Sequence, residues 1–120
     1  MSNPNKVRGD VFERVLRDHL AETGFTVART RAGYERDHGD IHVLGDGHGP
    51  TVIVQAKNQR AHALGEWLAG TVLQRDQAGA RHGVLVVKRR GIGAAGRQYA
   101  VMELDDLLAL LREAGYGTSS

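Results

Sequence analysis

Residues 83–88, Gly-Val-Leu-Val-Val-Lys, constrain the fold more than any other segment of the chain. They are almost continuously apolar, which is the pattern of a strand buried on both faces of a sheet. A strand pattern spans residues 51–57, and an amphipathic helical pattern from 64 to about 80 separates it from the buried run. A strand, a helix and a second, buried strand predict a right-handed crossover between parallel strands. The chain therefore belongs to the α/β class.

The remaining periodicities complete the order α-β-β-β-α-β-(β)-α. Apolar residues at spacings of three and four predict a first helix at 6–22, and Gly24 ends it. The other predicted elements are strands at 25–30, 40–44 and 98–102 and a final helix at 104–114. Because a glycine-rich turn at 45–50 separates strand 40–44 from strand 51–57, these two strands form a predicted hairpin.

The composition fits one globular domain over residues 1–120, with short flexible termini. The absence of cysteine excludes disulfides, thiolate metal sites and cysteine nucleophiles. The polar N-terminus lacks the apolar stretch of a signal peptide, and no segment approaches the roughly 18 apolar residues of a membrane span. We therefore expect a soluble, intracellular (cytoplasmic) protein with no membrane partner.

Groups suited to catalysis are concentrated at Asp40 and at residues 55–57, Gln-Ala-Lys. Residues two apart in a strand share a face, so Gln55 and Lys57 point one way and Ala56 the other. Pairing across the hairpin brings Asp40 beside them. A carboxylate and neutral oxygen donors bind Mg²⁺ or Mn²⁺, and a lysine stabilises charge that develops on a phosphate. The pattern therefore favours metal-dependent hydrolysis of a phosphodiester.

Asp40, the hairpin and Gln55-x-Lys57 resemble the signature of the PD-(D/E)xK nuclease superfamily. A first helix that carries Glu13, followed by strands, is similar to the opening α-β-β-β-α-β order of that superfamily. Over roughly residues 6–90 the chain looks most like small Holliday-junction resolvases and Mrr-type restriction endonuclease domains. The resemblance implies a restriction-endonuclease-like mixed sheet flanked by helices.

The resemblance also implies a role for each residue of the site. Asp40 is expected to be the central metal ligand, and Lys57 is the lysine of the family motif. Gln55 is expected to be a ligand at the place where most members carry Glu or Asp, and Ala56 to offer its backbone carbonyl to the metal. Glu13 resembles the acid that many resolvases carry on their first helix, and it lies at the margin of the apolar face.

Gln55 departs from the common pattern because it supplies a neutral oxygen where a carboxylate is usual. The metal site then has one negative charge fewer, which Glu13, or Glu35 or Asp37 just before Asp40, could restore. Mrr-type domains carry Gln at this place, so the difference is compatible with activity. The alternative is a catalytically degraded DNA-binding module of the same fold.

The loop after the buried strand is the candidate DNA contact, with Lys88, Arg89, Arg90 and Arg97. The planar fork of arginine donates two hydrogen bonds to a phosphate at once. Further arginines could extend this surface, although the sequence does not show which share a face: Arg29, Arg31, Arg36, Arg60, Arg75 and Arg81.

Two further motifs favour structural interpretations. Residues 91–96 match G-x-G-x-x-G, but no helical pattern begins there and no second βαβ unit follows, so we interpret them as a loop rather than a dinucleotide site. His38, His42 and His48 do not have the spacing of a helical metal-binding pair, which favours surface histidines over a zinc site. Trp67 is assigned to the core.

The leading hypothesis is a Mg²⁺- or Mn²⁺-dependent DNA endonuclease, most like a Holliday-junction resolvase. A four-way junction needs two symmetric nicks, so we expect a homodimer. The family resemblance implies 5′-phosphate and 3′-hydroxyl ends. The alternative within the enzymes is an Mrr-like or repair nuclease on linear or modified DNA. Compact nucleases of this kind often occur in phages and mobile elements, which is a candidate origin.

Overall fold

A computed structural model describes residues 4–29, 40–45 and 50–118, with the backbone alone at residues 5, 29, 40 and 50. The helices are α1 (Pro4–Glu22), α2 (Leu64–Ala78) and α3 (Leu104–Glu113). The strands are β1 (Val27–Arg29), β2 (Asp40–Leu44), β3 (Pro50–Lys57), β4 (His82–Val87) and β5 (Tyr99–Val101). The α/β class and the element order are confirmed. The expected flexibility of the termini stays a prediction, because residues 1–3 and 119–120 lie outside the described residues.

The strands form one mixed sheet in the order β1-β2-β3-β4-β5. β3 and β4 are parallel, as the strand-helix-strand pattern predicted, and the other neighbours are antiparallel. β2 and β3 form the predicted hairpin. Two bounds differ from the prediction at the start of the chain. α1 begins two residues earlier, at Pro4, because proline lacks an N–H that the first turn does not need. β1 begins two residues later than predicted, at Val27, and Phe25 is exposed.

Helix α1 covers one face of the sheet. Phe12 and Leu16 are buried against Ile41, Val54 and Ala56. A second apolar stripe of the same helix is exposed and consists of Val7, Val11 and Val15. Helical periodicity identified both stripes, but only packing against the sheet determines which of them is buried.

Helix α2 covers the opposite face, where Trp67 packs with Leu85 and Val87. The assignment of Trp67 to the core is therefore confirmed. The helix approaches β4 closely at Gly83, because a Cβ atom there would lie 3.2 Å from Thr71 Cγ2 and 3.3 Å from the Thr71 carbonyl oxygen. This close approach holds Thr71 directly over the centre of the sheet.

Helix α3 lies beside α2 and contributes a buried carboxylate, Asp106, instead of a buried leucine. Four of its leucines are exposed and share one side of the helix, namely Leu104, Leu107, Leu108 and Leu111, which we call the leucine face. Among the described helices, none has the length and apolar character required to cross a membrane.

Candidate active site

The hairpin places position 40 directly opposite Gln55 in the β2–β3 register. Hydrogen bonds at both ends of β3 show which way its backbone points, because Arg81 N–H donates to the Thr51 carbonyl and Lys88 N–H to the Lys57 carbonyl. Backbone groups alternate along a strand, so those of Gln55 also point toward β4. Asp40 and Gln55 are then a non-hydrogen-bonded pair, whose Cα atoms are typically about 4.5 Å apart. The predicted proximity of these two positions is confirmed.

The same alternation directs the carbonyl of Ala56 away from β4 and toward the β2 side of the strand. β2 begins at Asp40, whose partner is Gln55, so Ala56 lies one residue beyond the last described pair. The Ala56 carbonyl therefore lies on the β2 side of β3, one residue beyond the pair of position 40 and Gln55. The assignment of this carbonyl as a metal ligand stays a prediction.

The side chain of Gln55 is 7% exposed and faces α2. Thr71 Oγ1 lies 2.5 Å from Gln55 Oε1. The same Thr71 oxygen lies 2.9 Å from the carbonyl of Trp67, one helical turn earlier. Gln55 is therefore attached to the helix that covers this face and is not a solvated residue at the edge of the sheet.

Lys57 ends β3 on the same face as Gln55. Its Nζ lies 5.9 Å from the centroid of the Trp67 ring, within the range of a cation–π contact. The His62 ring packs on the same tryptophan at 5.9 Å. No described carboxylate forms an ion pair with Lys57. The aromatic ring thus holds the ammonium near the end of the strand without neutralising it.

Glu13 is 2% exposed, although it stands at the margin of the helical apolar face. Its carboxylate accepts a hydrogen bond of 3.2 Å from Arg17 on the next turn. Burial of a carboxylate is costly unless it is paired, which makes this residue unlike an ordinary surface glutamate. However, α1 covers the face opposite to Gln55 and Lys57. The assignment of Glu13 to the metal site stays a prediction.

The described residues contain no group of three or more His, Asp or Glu side chains close enough to hold a metal ion. His38 and His48 of the zinc alternative, and the acidic residues Glu35 and Asp37, lie outside the described residues. The candidate oxygen donors of the hairpin are the acidic residue Asp40, the amide of Gln55 and the backbone carbonyl of Ala56. An all-oxygen set fits Mg²⁺ or Mn²⁺, whereas Zn²⁺ is usually held by nitrogen and sulfur.

A basic cleft opens at the carboxyl ends of β3 and β4, immediately after Lys57. It encloses about 640 Å³, and none of the described residues that line it is acidic. Its cationic residues are Arg8, Arg60, Lys88, Arg89 and Arg90, and its other residues are Asn58, Gln59, His62, Gly91, Ile92 and Tyr99. Clefts at the carboxyl ends of parallel strands are common ligand sites in α/β proteins.

The loop after β4 forms one wall of this cleft. Lys88 Nζ donates to the carbonyls of Arg89 and Ile92, at 2.7 and 2.5 Å, and so holds the loop in a turn. The Arg89 guanidinium lies 5.0 Å from the Tyr99 ring centroid and donates to the Arg97 carbonyl at 3.0 Å. Arg90 is exposed at the rim. The loop interpretation of residues 91–96 is confirmed, since only a short 3₁₀ turn, Ala95–Arg97, follows.

The other arginines have different positions. Arg97 is exposed on that 3₁₀ turn and does not line the cleft. Arg75 and Arg81 form ion pairs with carboxylates of α3, so they hold the fold together. Arg60 lines the cleft, as the sequence allowed. The side chains of Arg29, Arg31 and Arg36 are outside the described part of the chain.

Sequence reasoning missed Thr71 and Arg8. Thr71 belongs to the apolar stripe of α2, and a polar residue in a buried stripe was the signal that could have identified it. Arg8 lies on α1, about 80 residues before the loop with which it lines the cleft, and no pattern in the sequence connects the two.

Comparison with known families gives one match. Residues 4–111 match the sequence model of the Mrr catalytic domain, a family described as restriction endonuclease. The match includes all the residues of the hairpin and of the basic cleft. A comparison with curated proteins gave no match.

Proposed function

This chain belongs to the Mrr catalytic-domain family of restriction endonucleases, and from that premise we propose that it is a Mg²⁺- or Mn²⁺-dependent endonuclease that hydrolyses phosphodiester bonds of DNA. The observation that carries the proposal is the β2–β3 register, in which Asp40 stands opposite Gln55 and one residue from the Ala56 carbonyl. Lys57 follows on the same face as Gln55. These are the donor types and the lysine that such a reaction requires.

The proposed ligands of the cation are the Asp40 carboxylate, the Gln55 amide oxygen and the Ala56 carbonyl, with Glu13 as a candidate fourth. A divalent cation at this place supplies charge neutralisation on the phosphate and activation of water. Oxygen ligands in this number leave room for water and substrate, as is usual for Mg²⁺. The loss of a carboxylate at position 55 predicts weaker binding of the cation than in a site with two or three carboxylates.

Lys57 is proposed to donate to the non-bridging oxygens of the scissile phosphate. Its ammonium is held at the Trp67 ring and is not neutralised by a described carboxylate. A fixed cation stabilises the negative charge that develops on phosphorus oxygens as water attacks. The bond from phosphorus to the 3′ oxygen breaks, and a proton passes to that oxygen. The products are the 5′-phosphate and 3′-hydroxyl ends expected for the family.

The basic cleft is proposed to hold the DNA backbone next to the scissile phosphate. Its lining includes Asn58, the residue after Lys57, and His62, which packs on the same tryptophan as Lys57, so the cleft adjoins the proposed active site. Five cationic residues, with no acidic residue in the described lining, suit a polyanion, and contacts of this kind position DNA without reading its sequence. Arg97, on the adjoining 3₁₀ turn, is proposed to contact the backbone beyond the cleft.

The test compares cleavage of linear duplex, flap and four-way DNA in Mg²⁺ and in Mn²⁺ by the wild type and by variants at Asp40 and Lys57. We expect Asp40→Ala and Lys57→Ala to lose activity on every substrate. Asp18→Ala and Lys6→Ala are the controls, because they remove one acid and one lysine that are exposed on α1. Both variants should cut like the wild type. Equal cutting by all five proteins would refute the assignment. Retained DNA binding without cleavage or cation binding would instead identify a degraded DNA-binding module.

A four-way-junction resolvase is the second candidate, and the leucine face of α3 favours it. Four exposed leucines on one side of a helix suit a second copy of the same helix. A two-fold dimer would provide the two symmetric active sites that a junction needs. The substrate panel distinguishes the two candidates, because a resolvase cuts four-way DNA in preference to the linear duplex.

A further inference from the structure

The Gln55 side chain raises a problem of orientation that a carboxylate at the same place does not raise. A carboxylate has two equivalent oxygens, whereas an amide has one oxygen and one NH₂ group. If the amide turns by 180°, an NH₂ group that cannot bind a cation replaces the oxygen. A site that uses Gln as a ligand therefore needs a neighbour that fixes the amide.

Thr71 is the described neighbour with the required contact. It is fully buried, and its hydroxyl oxygen lies 2.5 Å from Gln55 Oε1 and 2.9 Å from the Trp67 carbonyl. A hydroxyl has only one hydrogen to donate, so it serves only one of these acceptors at a time. The Trp67 carbonyl can also accept from the helical N–H four residues later. A separation of 2.5 Å suits O–H···O and is shorter than usual for N–H···O. The proton of Thr71 is therefore directed at the amide oxygen of Gln55.

We propose that Thr71 is a positioning residue that fixes the Gln55 amide with its oxygen as the group presented to a divalent cation. This inference rests on the proposed function. A carbonyl oxygen has two lone pairs, so it accepts from Thr71 and keeps a second lone pair for a ligand. Partners that hydrogen-bond to metal ligands in this way orient them and tune their affinity.

The surroundings of Thr71 leave it little freedom. Gly83 of β4 lies beneath it, and its close approach permits the helix to sit directly on the sheet. Trp67, one turn earlier, contacts Lys57. The same turn of α2 thus positions both polar residues of the β3 motif, Gln55 through Thr71 and Lys57 through Trp67.

The experiment measures the affinity for Mn²⁺ by calorimetry, without DNA, in the wild type, Thr71→Ser and Thr71→Val. Valine keeps the shape and removes the hydroxyl. We expect Thr71→Val to bind Mn²⁺ about 10- to 100-fold more weakly, which is the usual loss for a partner of a metal ligand. Thr71→Ser keeps the hydroxyl and should bind with close to wild-type affinity. Thr23→Val removes an exposed threonine hydroxyl that contacts only backbone carbonyls, and it serves as the matched control.

Comparison of Thr71 with Thr71→Val in a Gln55→Glu background distinguishes an effect on the orientation of the amide from an effect on packing. Either oxygen of the introduced carboxylate can bind the cation, so Thr71→Val should weaken Mn²⁺ binding much less in that background. A purely structural role of Thr71 predicts the same loss with an amide and with a carboxylate at position 55, and that result would overturn the inference. So would wild-type affinity in Thr71→Val.

A measurement on the wild type is independent of whether Thr71→Val folds. Addition of Mg²⁺ should shift the NMR signals of the Gln55 side-chain amide more than those of Gln74, a half-buried glutamine on the same helix as Thr71. An unchanged Gln55 amide in the Mg²⁺-bound wild type would overturn the inference and remove Gln55 from the proposed ligands, but it would leave the proposed endonuclease activity intact. Absence of any cation binding by the wild type would refute both.

Discussion

Arg75 of α2 donates two hydrogen bonds, each 3.0 Å long, to the two carboxylate oxygens of Asp106 on α3. The backbone N–H of Gly83 also approaches Asp106, at 3.4 Å. Arg75 makes a third hydrogen bond, to Asp76, which is the largest of the effects that raise the pKa of its guanidinium. A part-buried ion pair thus attaches the last helix to the α2 face, while the four leucines of the leucine face stay exposed.

Loss of the Asp106 carboxylate should destabilise the protein more than loss of any exposed acid. Asp106→Ala removes both hydrogen bonds between Arg75 and α3, although Arg75 keeps Asp76 and Glu103, and the expected cost is about 1.5–3 kcal/mol of unfolding free energy. Asp18→Ala, at an exposed position of α1, should change stability by no more than about 0.5 kcal/mol. Urea unfolding of both variants checks this, and similar midpoints would show that the ion pair contributes little.

The contact of Glu113 with Arg81 and His82 predicts how stability depends on pH. The hydrogen bond from Arg81, 2.7 Å long, holds the pKa of Glu113 below its ordinary value of 4.5, and the bond with His82 adds to this effect. Because the folded pKa is the lower one, the ionised carboxylate stabilises the fold above about pH 4.5. This contribution is lost as the pH falls through the folded pKa.

Glu113→Gln should therefore lower the melting temperature at pH 7 and lose its effect at low pH. The difference should be small, because Glu113 and Arg81 are both substantially exposed to solvent. Glu22→Gln, at the exposed end of α1, is the matched control and should show no such dependence. A constant difference between wild type and Glu113→Gln from pH 7 to pH 3 would contradict the assigned cause.

Gly83→Ala should destabilise the sheet under α2. The added methyl group would lie 3.2–3.3 Å from two atoms of Thr71 and from Arg75 Cβ, and one of these atoms belongs to the backbone. Overpacking of this kind costs about 1–3 kcal/mol. Gly65→Ala is the control in α2, where the methyl group has open space and should stabilise the helix by about 0.5–1 kcal/mol. Thermal unfolding of the two variants should therefore shift in opposite directions.

Replacement of an arginine of the basic cleft by alanine should weaken DNA binding without changing the sequence preference. Arg8→Ala and Arg90→Ala should each lower the affinity and reduce the slope of log K against log salt by about 1. Arg14→Ala removes an exposed arginine from the same helix as Arg8, outside the cleft lining, and should leave the slope unchanged. Titration of a labelled duplex at several salt concentrations gives the three slopes. Equal slopes for Arg8→Ala and Arg14→Ala would show that the DNA does not bind in the basic cleft.

The elements and the hairpin were predictable because each depends on local patterns of sequence. The apolar run of β4, the alternation in β3 and the end of α1 before Gly24, which has a positive φ of 105°, all follow such patterns. The functions of individual polar residues were less predictable. Arg75 and Arg81 look like DNA-binding arginines until their partners on α3 are known, some 30 residues later. Burial of Glu13 and the contact of Thr71 with Gln55 likewise depend on how helices pack on the sheet, which no local pattern contains.

The leucine face of α3 predicts self-association with a defined geometry. Asp105 and Arg112 are seven residues apart, so they lie on the same flank of the helix, beside the leucines. An antiparallel pairing about a two-fold axis between residues 108 and 109 would place each Asp105 opposite Arg112 of the partner subunit. Two ten-residue helices bury a small area, so we expect weak association, in the micromolar range, that sedimentation detects only at high concentration.

Charge reversal tests this geometry directly. Asp105→Lys and Arg112→Glu each place like charges opposite one another in both pairs, and each alone should weaken the dimer on the order of tenfold. An equimolar mixture of the two variants should associate again, because every pair in the mixed dimer then joins opposite charges. Leu108→Glu, which disrupts the leucine face itself, should not be rescued by either partner. Recovery of the wild-type dissociation constant in the mixture identifies the antiparallel α3 dimer. If the mixture does not recover, the leucine face binds a different partner.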